Sequence, residues 1–194
     1  MFGRPVSLAA VVDGAFDALV TLLGCREVPL LSVSQGWARW DKSWRAVDRA
    51  ELEELIVGVP APLEPQGGSD AFTIHVAGLE DRAFLLICEM IGEDGAPSPE
   101  VEAVVTPTRT CAGVVLAIAV VLGAAIASEG VLAEEWQLPM TSFVRERVDD
   151  PCRFIELTRL RSAEGSGSEE FAAQCERFLR RFPDLQGWPL DRSM

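Results

Sequence analysis

The sequence predicts a single α+β domain: a mainly antiparallel sheet with helices packed on it, including a buried Ala-rich helix at about 110–128. Three observations predict this. Apolar residues recur at spacings of three and four near both ends of the chain, the period of a helix with one buried face. In the middle, Phe72, Ile74 and Val76 alternate with Thr73 and His75, the period of a half-buried strand. The chain has 194 residues, 48% of them hydrophobic and 24% charged, which is enough to bury one core and short for two. No internal repeat or long linker divides it, so residues 1–194 read as one domain.

The first helix opens at Ser7, a side chain that can accept from its first free N–H groups, and ends at Gly24. Its stripe is Leu8, Val11, Val12, Ala15, Phe16, Leu19, Leu22 and Leu23. In GWARWDKSWR, Trp37, Trp40 and Trp44 stand at i, i+3 and i+7. They form either an exposed aromatic ridge that binds a partner or, as such stripes more often do, a face packed on the core. Asp48 with Glu51 is a capping box, and Val47 with Leu52 a hydrophobic staple. The helix they start should run through Leu55 and Ile56 to Gly58, before a Pro/Gly-rich loop over residues 61–69.

Residues 72–76 and 83–91 then form a hairpin through a tight connection at 78–81. The run AFLLICEMI is apolar on both faces, as a central strand requires. A third strand follows at Val101–Thr106, stopped by Pro107. Cys111–Ala127 contains no charged residue. A membrane span is the alternative for it, but seventeen residues fall short of the ~20 a bilayer needs, and six Ala and two Gly weaken its lipid preference. It reads as a helix buried against the sheet. Short strands are expected at Val131–Trp136 and at Arg153–Leu160, the second with Ile155 and Leu157 facing inward. The last helix starts at Ser166 and Glu169, carries Phe171, Cys175, Phe178, Leu179 and Phe182 on one face, and stops at Pro183.

The net charge is −13, and its placement is uneven. Residues 1–47 hold 5 basic and 4 acidic side chains, residues 48–103 hold 2 and 13, and residues 104–194 hold 10 and 13. The segment sums are +1, −11 and −3, so the middle third supplies most of the charge. Nucleic acid and anionic membranes are disfavoured as partners, since both need Lys and Arg to neutralise them. A basic protein partner is allowed, and a solvated, solubilising face is the commoner reading of such charge. Five cysteines, odd in number and without a C-x-x-C pair, imply reduced thiols, and Asp13 and Asp17 interrupt the apolar N-terminal stretch where a secretory signal would need continuity. A cytoplasmic location is expected.

Equipment for catalysis is sparse. His75 is the sole histidine, so an ordinary zinc site or a His-dependent triad has little to build on. No phosphate-cradling or nucleophile-elbow motif occurs. Adjacent acids such as Glu80/Asp81 and Glu93/Asp94 sit in turn sequences, where hydration opposes the raised pKa that acid–base work needs. The expectation is no enzyme, no cofactor and no metal; a small carboxylate-dependent hydrolase or an adaptor for a secretion substrate are the alternatives. Candidate partner contacts are Glu80, Asp81, Glu93, Asp94 and Trp40.

The order of elements resembles a known class. An amphipathic helix ending in ALVTLLGC precedes WARWDKSWRAVDRAELEELI, then the strands FTIHVAG and AFLLICEM, an Ala-rich helix, FIELTRL and the final EEFAAQCERFLRRF. This pattern is similar to bacterial polymorphic-toxin immunity proteins of the immunity protein 52 type. The resemblance implies a cytoplasmic protein that binds and neutralises a cognate basic toxin, of the nuclease class, by occluding its active face. The chain departs from that family in having no Asn and no Tyr.

Overall fold

The computed structural model describes residues 1–25, 28–37, 44–59, 70–91, 97–132, 148–160 and 168–182. Within them the chain is α+β, as its periodicities predict. The elements are β1 (Val6–Ser7), α1 (Leu8–Leu23), β2 (Leu31–Trp37), β3 (Arg45–Val47), α2 (Arg49–Glu54), β4 (Ile56–Val57), β5 (Asp70–Val76), β6 (Arg82–Ile91), β7 (Pro97–Pro107), α3 (Cys111–Ser128), α4 (Pro151–Thr158) and α5 (Ser168–Leu179). Five strands form an antiparallel sheet in the order β3-β2-β5-β6-β7, and β1 pairs with β4.

Strand alternation gives the sheet two faces. Val33, Phe72, Ile74, Ala83, Leu85 and Val101 point inward and are buried, with the β5–β6 register placing Phe72 opposite Leu85 and Ile74 opposite Ala83. The helical layer covers them. At its centre lies α3, which packs on β6 and β7 and also meets α1, α4 and α5. Because neighbours surround it, α3 has no polar face: nearly every residue from Ala112 to Ala125 is buried. By length and composition alone it could cross a membrane, yet 78% of it is inside this fold. Its glycines serve close approach. A Cβ at Gly123 would collide with the Ala15 nitrogen and the Val11 carbonyl, so α1 and α3 cross backbone to backbone with Gly14 facing Gly123.

Caps hold the helix ends as their sequences dictate. Ala10 N–H donates to Ser7 Oγ at 3.2 Å, and Gly24 takes the left-handed conformation with φ 63°. Glu51 N–H donates to Asp48 Oδ1 at 2.9 Å, and Val47 and Leu52 are both buried as a staple requires.

Several expectations change. Trp37 and Trp44 flank a β2–β3 hairpin instead of lying on one helix, because Val33 pairs with Val47 and completes a strand pairing that extends the sheet. The α2 helix stops at Glu54, since Ile56–Val57 pairs with Val6–Ser7 as a strand. The third strand begins at Pro97 rather than Val101. Residues 153–158 are helical rather than extended: Asp150 caps α4 by accepting from the Cys152 and Arg153 N–H groups, and Pro151 occupies the first turn. Phe154 is the buried residue there, while Leu157 is 37% exposed. Val131 and Leu132 are not in a strand, and residues 133–136 lie outside the described residues, as do the 61–69 loop, Ser166 and Pro183.

Candidate partner-binding surface

The outer face of the sheet carries Trp44, from the tryptophan segment, with Phe84 and Arg82, which follow the predicted acidic turn in the chain. In the register, Ser34 lies opposite Thr73 and Thr73 opposite Phe84, while Gly36 lies opposite Ala71. Trp44 follows the chain toward β3 and folds over this face. A Cβ at Gly36 would come within 2.9 Å of the Trp44 ring, so glycine is what lets the indole lie down on β2. At its other side Trp44 meets the Phe84 ring edge-on, with centroids 6.1 Å apart. A ring that touches both β2 and β6 lies across β5, over Ala71 and Thr73. Both are at most 4% exposed.

Trp44 itself remains 44% exposed. The Arg82 guanidinium sits over Phe84, 5.7 Å from its centroid, so cation, phenyl and indole stand in a row. The β5–β6 turn adjoins this row and brings Glu80 and Asp81. Glu80 is exposed and forms no ion pair among the described residues. Asp81 is tied down: the Thr110 hydroxyl donates to it, and Thr110 Oγ1 also accepts from Gly113 N–H at 3.0 Å as the cap of α3. Thr108 closes the same corner by donating to the Arg82 carbonyl at 3.1 Å. Of the predicted pair, Glu80 is therefore available to a partner, and Asp81 fastens the turn to the helix. Glu93, Asp94 and Trp40 lie outside the described residues; the connection carrying the two acids leaves β6 at the end opposite the β5–β6 turn.

The one histidine of the chain sits in β5. His75 has Ser32 and Arg82 as cross-strand neighbours and hydrogen-bonds to neither. Burial lowers its pKa, and the Arg82 charge lowers it further. Burial raises the thiols of Cys25, Cys111 and Cys175, most strongly Cys175, and so keeps them protonated. No group of three His, Cys, Asp or Glu side chains that could hold a metal occurs among the described residues.

Comparison with protein-family models, with curated proteins and with solved structures finds no match for this chain.

Proposed function

We propose that the chain is a protein-binding module that works by covering a partner's surface. More particularly, it acts as an immunity protein that neutralises a basic, cytosol-acting toxin of the nuclease class by occluding its active face. The observation that carries the first step is the half-exposed Trp44 laid on the sheet against Phe84, which also carries the Arg82 guanidinium. Aromatic residues and arginine dominate binding hot spots, because they bring large apolar area with a polar handle. The net charge of −13 supports a basic partner, since opposite charge speeds encounter and disfavours wrong partners. The resemblance in element order supports the second step.

The test is rescue of a bacterial host from the toxin domain encoded beside this chain's gene. Rescue and a co-purifying complex are expected, Trp44→Ala should abolish both, and Glu80→Lys should slow association at low salt more than at high salt. No complex and no rescue by the native chain would sink the toxin reading. Full binding by Trp44→Ala would move the contact off this face.

A further inference from the structure

A cleft of about 440 Å³ opens between the C-terminal end of α3 and the start of α4, on elements other than the sheet. Its walls are apolar: Ala125, Ile126, Val131 and Pro151. Ile126 and Val131 are among the large hydrophobic residues that the fold leaves exposed, at 39% and 42%. Glu129, Asp149 and Asp150 add three carboxylates. The walls are braced, because Leu132 N–H donates to the Asp149 carbonyl at 2.9 Å and Gly130 N–H closes α3 on the Ala125 carbonyl at 2.8 Å.

Two features fix the sign of what fits. Among the described residues no Lys or Arg lines the cleft, and the free N–H groups at the start of α4, which elsewhere attract anions, are taken by Asp150 Oδ1. A wholly apolar group would have to strip water from carboxylates without returning a partner. A side chain with an apolar stem and a cationic head satisfies both parts of the lining. The chain itself seats one guanidinium at the rim: Arg4 Nε lies 3.1 Å from Glu129, and Arg4 also donates to the Ala127 carbonyl at 3.4 Å. Among the described residues that leaves Asp149, exposed and in no ion pair with any of them, lining the same space.

We infer that this cleft receives an arginine or lysine side chain presented by a partner protein, with the stem against Ile126 and Val131 and the charge at Asp149. The inference does not rest on the outer-face reading, which Trp44→Ala tests separately.

The experiment titrates the full chain, with labelled Ile and Val methyl groups, with acetyl-Leu-Arg-Leu-amide and with its citrulline analogue, which keeps the shape and loses the charge. The arginine peptide should shift the Ile126 and Val131 methyl signals at least several-fold more than the citrulline peptide. Asp149→Asn should remove that difference while the Val115 and Ile118 signals stay in place as the fold control. Equal shifts from both peptides, or an unchanged response in Asp149→Asn, overturn the inference. So does a response to free butylguanidinium with none to the peptide, which would make the cleft a small-cation pocket.

Discussion

On the inner face of the sheet, Phe72, Ile74 and Leu85 are sealed by a layer of helices; on the outer face, Ala71 and Thr73 lie on the strand between Gly36 and Phe84, the two residues that the Trp44 indole reaches. The residues are buried to the same degree, at 4% exposure or less. The means of burial differ. The buried centre of the inner face is apolar and closes on α3, a helix with no polar side, so its burial is contiguous with the rest of the core. The outer face is covered by Trp44, which is itself 44% in solvent and is held by ring contacts to Gly36 and Phe84. It also hides a polar atom, Thr73 Oγ1, with no hydrogen-bond partner. Equal burial therefore conceals one face built for stability and one that a partner can still reach.

The widest separation between the faces should appear on truncation. Phe72→Ala removes a ring from the sealed side and should cost about 3–5 kcal/mol, seen as a lower denaturant midpoint at unchanged slope. A loss below ~1 kcal/mol would mean the inner face repacks freely and the contrast is wrong. Next in size, Gly123→Ala forces a methyl between the α1 and α3 backbones, and should cost about 1–3 kcal/mol. Trp44→Ala removes a larger ring than Phe72→Ala does but from the open side. Its stability loss should be about 1 kcal/mol, because half the ring already contacts water and Thr73 gains hydration when it leaves. A loss as large as that of Phe72→Ala would make Trp44 a core residue and remove it as a contact candidate.

The inner face was legible in the sequence and the outer face was not, for a physical reason. Helices α1 and α5 and the β5–β6 hairpin bury one side, so each carries a period that a reader can find. The tryptophans show how a period misleads: spacings of three and seven fit a helix, but Trp37 closes β2 and Trp44 precedes β3, on either side of one strand connection. In α4 the alternation of Ile155 and Leu157 mimics a strand, while Asp150-Pro151, a cap followed by a residue suited to a first turn, was the better signal. The Trp44–Phe84 contact joins residues forty positions apart, and the α3–α4 cleft joins residues 125–131 to 149–152. Neither leaves a local pattern. Glu80 and Asp81 were legible as a turn, but their different fates depend on Thr110, which only the docking of α3 brings near.

The smallest expected effect has the opposite sign and probes the lid directly. Thr73 is 2% exposed, and its hydroxyl has given up water without a replacement. A buried, unsatisfied hydroxyl costs about 1–3 kcal/mol, whereas a methyl of the same shape costs nothing comparable. Thr and Val are both β-branched and suit a strand equally, so Thr73→Val changes little except that group. It should raise stability by roughly 1 kcal/mol or slightly less. The gain should depend on Trp44. With the indole removed, water reaches Thr73, the native hydroxyl is satisfied, and Thr73→Val in the Trp44→Ala background should be neutral or mildly destabilising. A double-mutant cycle by urea unfolding measures that coupling. If Thr73→Val destabilises the native chain, the hydroxyl has a partner in solution and the indole is no seal. If it stabilises both backgrounds equally, something other than Trp44 keeps water from β5.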